Sequence, residues 1–264
     1  MLRQIFGKRR VEPVPAPPEP EVAPQPVGIT FTGDYASYEA ALADCGGDPG
    51  YSGEAAVERY VRRYKEVVAD PASIIRGASD PMTRIMAAFS LAEPIDGVFR
   101  VLDFGGGYAS IFHLLRHLHP ERRFDWRVVE LPETVARGAE MGASDQLHFA
   151  TEVPDGPFSI AILSGTLQYL PDPRARFAAL SQIDTPLLFI NRLPIAPWLE
   201  RDRLTVQRVP ASLFEAAFPA WFLAPSFRDE IAKAGDIIMQ WDAPGDITQL
   251  DGQELRYQAM IVRR

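Results

Sequence analysis

Residues 99–110 read FRVLDFGGGYAS, and this stretch decides the fold. A short run of β-forming apolar residues ends at Asp103, three consecutive glycines follow, and a helical pattern begins directly after them. A strand that turns into a helix through a glycine-rich turn is typical of doubly wound α/β sheets. Such sheets bind ligands beyond the carboxyl ends of their strands. The glycine turn is therefore the first place to look for a ligand.

Strand-like segments alternate with amphipathic helices along the rest of the chain, which predicts a parallel, doubly wound sheet. The last two strand-like segments, DIIMQWD and ELRYQAMIVRR, have no helix between them, only a connection rich in Pro, Gly and Asp. They predict an antiparallel hairpin at the edge of the sheet. The expected class is α/β, with a doubly wound, mostly parallel sheet, a C-terminal antiparallel hairpin and a helical N-terminal segment. The predicted parallel strands are FRVLDF, WRVVEL, QLHFA, FSIAILSG and TPLLFINR.

Changes in composition divide the chain into three parts. Residues 1–28 have a basic start followed by proline alternating with small and acidic residues, which predicts a disordered tail. Residues 29–95 contain amphipathic helical patterns and are expected to form a helical cap. Residues 96–264 are expected to form the ligand-binding domain, with an insertion over residues 193–221. Long insertions at the ligand end of a sheet often form lids or substrate walls.

Overall composition argues against several functions. The net charge of −8 argues against a broad nucleic-acid-binding face. The single cysteine, Cys45, cannot form an internal disulfide, and it fits a cytoplasmic protein. No apolar run is long enough to span a membrane, although the partly apolar, basic residues 2–10 leave open a weak membrane or protein contact. His113 and His117 share one helix face without a matching acid, so we expect no metal site.

The residues of the turn discriminate between two nucleotide-like ligands. A dinucleotide-binding turn has a glycine where Ser110 stands, and the carboxylate of Asp103 would repel a pyrophosphate. S-adenosylmethionine carries a sulfonium and an ammonium, so it would be attracted by the same carboxylate. Glu130 ends the second strand, close to where an acidic residue accepts the hydroxyls of a ribose. Glu130 indicates a ribosyl ligand, and the turn favours S-adenosylmethionine over NAD.

The segment VLDFGGGYA resembles motif I of class I S-adenosylmethionine-dependent methyltransferases, with Ala109 in the place of the last glycine. Further segments resemble a narrower bacterial family of methyltransferase-like proteins whose genes often stand beside genes of surface-polysaccharide biosynthesis. The resemblance covers residues 29–264 and implies S-adenosylmethionine as the cofactor. The segments that carry it are FTGDYASYEAA, VLDFGGG, WRVVELPETV, ILSGTLQYLPDP, VQRVP and FPAWFL.

The resemblance also implies which residues bind the cofactor. It places the turn against the methionine portion, the strand-two acid against the ribose, and the following leucine beside the adenine. The segment after the fourth strand would close over the cofactor, and Thr151 or Glu152 stands where an adenine-contacting acid is often found. The implied cofactor-binding residues are Asp103, Gly105, Gly106, Gly107, Glu130, Leu131, Ser164 and Gln168.

A second set of polar and aromatic residues is a candidate for binding the acceptor. Most of them lie in or near the insertion, and they suit a polar or anionic acceptor such as a sugar or a sugar nucleotide. The alternative is that the aromatic members pack a small hydrophobic core and that the polar members cap backbone groups. No catalytic base is identified. The candidates are Tyr35, Tyr169, Arg192, Gln207 and Trp221.

The sequence therefore predicts a small-molecule methyltransferase that acts on a hydroxyl or an amine, plausibly of a saccharide precursor. Methyl transfer is a displacement at an already activated carbon, so positioning supplies much of the rate and the lack of a recognisable base is tolerable. A binding or scaffold protein that keeps the fold without catalysis is the alternative. An NAD-dependent oxidoreductase is disfavoured. The oligomeric state stays open.

Overall fold

The computed structural model describes residues 28–48, 50–72 and 80–264. Of the predicted tail, only residue 28 falls within these ranges. No helix of the described parts is both long and apolar enough to cross a bilayer. The α-helices are α1 (Tyr38–Asp44), α2 (Glu54–Ala69), α3 (Asp80–Ser90), α4 (Ser110–Leu118), α5 (Pro132–Gly142), α6 (Pro173–Leu180) and α7 (Ser226–Ala234). Single 3₁₀ turns cover Gly50–Ser52 and Leu167–Tyr169.

The strands of the described residues form two separate sheets. The first five strands are β1 (Thr30–Thr32), β2 (Val98–Phe104), β3 (Arg123–Val129), β4 (Leu147–Ala150) and β5 (Ile160–Ser164). The remaining five are β6 (Leu187–Leu193), β7 (Arg203–Val209), β8 (Ala216–Phe222), β9 (Asp236–Leu250) and β10 (Gln253–Arg263).

The larger sheet has seven strands in the order β4-β3-β2-β5-β6-β10-β9. The pairs from β4 to β6 are parallel, and β10 pairs antiparallel with both β6 and β9. Within this sheet the chain enters at the central strand β2 and continues through β3 to the edge strand β4. It then crosses back to β5, on the other side of β2. The predicted doubly wound sheet with a closing antiparallel hairpin is confirmed.

Both faces of the central sheet are buried, because helices cover each of them. The alternation of side chains along β2 places Val101 in the core on one face and Leu102 in the core on the other. In β5, residues 160–163 are all buried, as expected of a central parallel strand. The side chain of Ser37 accepts a hydrogen bond from the backbone amide of Ala40 and so caps the start of α1.

The smaller sheet has the order β1-β7-β8 and is antiparallel throughout. The predicted insertion supplies the β7–β8 hairpin, and the N-terminal segment adds β1 to its edge. Residues 29–95 were expected to form a helical cap, but they also contain the strand β1. A three-residue strand is too short to show an alternating pattern in the sequence. β1 is a strand because it pairs with the exposed edge of the β7–β8 hairpin, which is distant in sequence. An ion pair between Arg208 and Asp44, 2.7 Å, also joins the two segments.

The C-terminal hairpin is longer than predicted. The Pro-, Gly- and Asp-rich stretch lies inside β9 rather than between the two strands, and the turn is formed by Asp251 and Gly252. Both turn residues have positive φ, 52° and 77°, which a two-residue hairpin turn requires. A register shift between Arg256 and Gln258 accommodates the irregular stretch.

Candidate functional site

The carboxyl ends of strands β2 to β6 open into one continuous cavity of about 2400 Å³. Its opposite wall is built from α2, the smaller sheet and the C-terminal hairpin. A single small ligand usually occupies a pocket of roughly 300–1,000 Å³. The cavity therefore has room for two ligands side by side, one of them beyond the glycine turn.

The three glycines of the turn are each needed for its shape. Gly105 and Gly107 line the cavity and have φ values of +72° and +57°. A Cβ atom on Gly105 would overlap the side chain of Thr166, and one on Gly106 would overlap the carboxyl group of Asp103. Helix α4 begins just beyond and has no side-chain cap, so its first amides are available to a ligand.

Asp103 lies beneath the turn and not in the cavity. Only 1% of the residue is exposed, and its Oδ2 accepts a hydrogen bond of 3.1 Å from the indole of Trp126. Its Oδ1 is buried, and none of the described residues forms a hydrogen bond with it. Asp103 does not line the cavity, and its predicted contact with a ligand stays a prediction. The alternation of β2 directs this side chain away from the cavity, toward α4 and β3, where it supports the turn from below.

Glu130 directly follows β3 and links the end of this strand to the glycine turn. Its Oε1 accepts a hydrogen bond of 3.1 Å from the amide of Gly107, and its Oε2 accepts one of 2.9 Å from the amide of Leu131. Burial raises the pKa of the Glu130 carboxyl, and the two amide hydrogen bonds act against this rise. Each carboxylate oxygen keeps a lone pair for a further donor, such as a ribose hydroxyl. The half-exposed side chain of Leu131 lines the cavity beside it.

The segment after β5 contributes two more predicted residues to the cavity. The Oγ of Ser164 accepts a hydrogen bond of 3.1 Å from the side-chain amide of Asn191. Gln168 is only 3% exposed, and its Oε1 has no partner within the described residues. Thr151 and Glu152, after β4, line the same cavity.

Three of the acceptor candidates also line the cavity, on the side away from Glu130. The hydroxyl of Tyr169 donates a hydrogen bond of 3.1 Å to Oε1 of Gln207. Arg192 lies at the end of β6 with a φ of +57°, which is uncommon for a residue other than glycine. These three side chains come from the post-β5 turn, β7 and β6, and only the fold brings them together.

The other two acceptor candidates, Tyr35 and Trp221, do not line the cavity. The hydroxyl of Tyr35 donates to Asp44 on the outer surface, at 2.7 Å. The indole of Trp221 donates to the carbonyl of Leu170 at 3.0 Å, and the ring packs against the hydrophobic core. The alternative of a packing role is correct for Trp221.

Several cavity residues were missed from the sequence. Burial raises the pKa of Tyr60 to about 12 and raises those of Tyr51 and Tyr257 as well, so all three phenols stay protonated at neutral pH. Asp246 forms ion pairs with Arg84, at 3.0 Å, and with Arg192, at 3.2 Å. Asp246 lies in the Pro-, Gly- and Asp-rich stretch that was predicted to connect two strands. No local sequence signal indicates that Tyr51, Tyr60 and Tyr257 lie in the same cavity.

The histidines do not contribute to the cavity. His113 packs its ring against Tyr64 and Phe112, with centroids 5.3 and 5.2 Å away. His148 is exposed on β4, 3.8 Å from Asp125. Within the ranges that the structure describes, no three His, Cys, Asp or Glu residues are grouped to hold a metal ion.

No protein-family model and no curated protein matches the chain. Some solved structures are similar in fold. The [4+2]-cyclase SpnF is 14% identical, with a TM-score of 0.47 over 69% of this chain and 79% of that chain. CalS10, an amino pentose methyltransferase from Micromonospora echinaspora, is 18% identical, with a TM-score of 0.41 over 77% and 96%. An O-methyltransferase family protein from Burkholderia thailandensis is 13% identical, with a TM-score of 0.47 over 79% and 59%. Similarity at this level assigns neither an activity nor a ligand.

Proposed function

We propose that the protein is an S-adenosylmethionine-dependent methyltransferase that acts on a small molecule. The observation that carries the proposal is the junction of the glycine turn with Glu130 through the 3.1 Å hydrogen bond of Gly107. This junction opens into a cavity large enough for a cofactor and an acceptor together.

The cofactor is proposed to bind along the carboxyl ends of β2, β3 and β4. Its methionine portion would lie against the turn and the uncapped start of α4, and its ribose hydroxyls would donate to Glu130. Its adenine would lie beside Leu131, near Thr151 and Glu152. Glu130 supports a ribosyl ligand, and the preference for S-adenosylmethionine over a dinucleotide rests on the turn, where Ser110 replaces the last glycine of the dinucleotide pattern.

Methyl transfer requires mainly that the protein orient the cofactor and the acceptor. The methyl group passes from the sulfonium sulfur to a nucleophilic oxygen or nitrogen of the acceptor, the carbon–sulfur bond breaks, and the acceptor loses a proton. The protonated phenols of Tyr51, Tyr60 and Tyr257 act as hydrogen-bond donors that hold the acceptor and not as bases. A hydroxyl or amine of a saccharide precursor is the acceptor that we propose, as the sequence resemblance suggests.

Binding measurements test the cofactor part of the proposal. We expect calorimetric titration to show binding of S-adenosylmethionine and S-adenosylhomocysteine and none of NAD. Glu130→Gln removes the charge and one of the two acceptor oxygens, so it should weaken S-adenosylhomocysteine binding by about tenfold or more. Glu133→Gln, on the first turn of α5 and outside the cavity, is the matched control and should bind normally. Equal affinity of the two variants would contradict the role of Glu130.

Transfer itself needs a separate assay. The protein should move a tritiated methyl group from S-adenosylmethionine to at least one member of a panel of sugars, amino sugars and sugar nucleotides. Binding of S-adenosylhomocysteine without transfer to any member would favour the alternative of a binding protein with this fold.

A further inference from the structure

Arg192 is placed in the cavity by a bulge in strand β6. Ile190 pairs with Met260 and Leu193 pairs with Gln258, so β6 has two residues, Asn191 and Arg192, opposite Ala259 alone. Bulges re-aim side chains and are common beside active sites. The bulge residue Arg192 has a φ of +57°, and its side chain, 47% exposed, lines the cavity.

Among the residues that the structure describes, the guanidinium of Arg192 forms one ion pair. Its Nε atom lies 3.2 Å from Oδ1 of Asp246, which also pairs with Arg84. Within the described residues, the two terminal nitrogens of Arg192 have no hydrogen-bond partner. A guanidinium that is fixed at Nε presents these nitrogens as a planar fork, which matches the two oxygens of a carboxylate or a phosphate.

Three phenol side chains surround Arg192, and the hydroxyl of one of them, Tyr169, already donates to Gln207. The hydroxyls of Tyr51, Tyr169 and Tyr257 lie close enough to interact with its charge. Burial keeps the phenols of Tyr51 and Tyr257 protonated by raising their pKa values. The ring of Tyr51 lies against that of Tyr169, with centroids 5.3 Å apart, and forms an apolar surface beside the fork.

Arg192 lies on the acceptor side of the cavity. Strand β6 is separated from β2 by β5 and from β3 by β2 and β5. With neighbouring strands about 4.8 Å apart, the axis of β6 is roughly 10 Å from that of β2 and roughly 14 Å from that of β3. Arg192 and Glu130 therefore extend into the cavity from strands that are three places apart in the sheet.

We propose that Arg192 binds an acidic group of the acceptor, and that the acceptor is an anionic small molecule bearing a carboxylate or a phosphate. This inference rests on the proposed function, and it narrows the acceptor class. The acidic group anchors the molecule at β6, and the body of the molecule extends over the tyrosine rings toward the cofactor site.

The test uses the full chain saturated with S-adenosylhomocysteine. Glucuronate, glucose 6-phosphate and glucose are titrated by calorimetry, because they share one ring and differ in charge. At least one of the two acids should bind tighter than glucose, and which one it is distinguishes a carboxylate from a phosphate. Arg192→Gln should weaken binding of that acid by about tenfold or more and leave glucose unaffected. Arg192→Lys keeps the charge without the fork, so its affinity for the acid should lie between those of the wild type and Arg192→Gln. It replaces the glutamine variant if the latter does not fold.

Arg63→Gln is the matched control, since Arg63 lines the same cavity on α2 but pairs with Glu66 on its own helix. It should bind the acid normally. Acids that bind no better than glucose, or an equal loss in the Arg63 variant, would overturn the inference. So would a loss of S-adenosylhomocysteine affinity in Arg192→Gln, which would assign the fork to the cofactor's carboxylate. Failure of the wild-type protein to bind S-adenosylhomocysteine would instead overturn the proposed function, and this inference with it.

Discussion

Replacing Asp103 by asparagine should change how the stability of the protein depends on pH. Burial beneath the glycine turn raises the pKa of the Asp103 carboxyl from 3.8 to about 7, because loss of water disfavours its charged form. The hydrogen bond from Trp126 opposes this rise, and the charge of Glu130 adds to it. Asparagine keeps an oxygen for Trp126 and does not titrate.

The direction and size of the effect follow from these pKa values. The folded chain holds a proton on Asp103 between pH 3.8 and about 7, whereas the unfolded chain does not. The protonated carboxyl therefore contributes stability fully below pH 3.8, and this contribution is lost as the pH rises to about 7. A pKa difference of about 3 corresponds to about 4 kcal/mol, of which about 2 kcal/mol falls between pH 5 and pH 7 and about 3 kcal/mol between pH 5 and pH 8.

Asparagine also carries a cost, because its amide N–H₂ would lie where Oδ1 of Asp103 has no partner. An unsatisfied buried group of this kind costs about 1–3 kcal/mol. Asp103→Asn should thus be less stable than the wild type at pH 4 by about that amount. At pH 8 it should be more stable by about 1–3 kcal/mol.

Urea unfolding followed by circular dichroism, at several pH values from 5 to 8, measures this directly. The difference in unfolding free energy between wild type and variant cancels the contributions of the titrating groups that do not interact with Asp103. That difference should change by about 3 kcal/mol in favour of the variant over the interval. Parallel stability curves for the two proteins would show that Asp103 does not titrate there, and the account of its burial would be wrong.

Two further substitutions probe the turn and the ion pairs. Gly106→Ala should weaken S-adenosylhomocysteine binding by about tenfold or more, because the new Cβ would displace the turn from Asp103. Gly28→Ala, where a Cβ meets nothing, is its calorimetric control, and equal affinities would refute the steric argument. Asp246→Asn should lower the free energy of unfolding by about 3 kcal/mol, since it leaves the buried Arg84 without this carboxylate. Thermal unfolding should show a melting temperature lower by about 6–9 °C, and an unchanged value would mean that the pair contributes nothing.

Much of the fold was predictable because the signals that define it are local. The apolar runs of β2 and β5 and the Ser37 cap depend on neighbours a few residues away. The glycine turn and Glu130 belong to the same kind of signal, since the backbone of a strand–turn–helix unit requires them wherever the unit occurs. The strand β1 and the course of β9 through its Pro-Gly stretch were not predictable in this way. Both depend on a partner strand that pairs from elsewhere in the chain.

The acceptor side of the cavity was the least predictable part. Arg84 and Asp246 pair across 162 positions of the sequence, and Tyr169 and Gln207 across 38. Tyr35 and Trp221 have the residue types of a binding site but point elsewhere.

The strand and helix units, their alternation and the bare turn could be predicted from the residues alone, since short-range periodicity and glycine geometry specify these wherever they occur. Which side chains meet in the cavity depends instead on how the strands pair in three dimensions. The tertiary structure buried Asp103 beneath the turn and used a one-residue bulge to direct Arg192 into the cavity. The physical reason is that a side chain's direction depends on strand register and bulges, which are set by the partner strand and not by the chain's own local pattern.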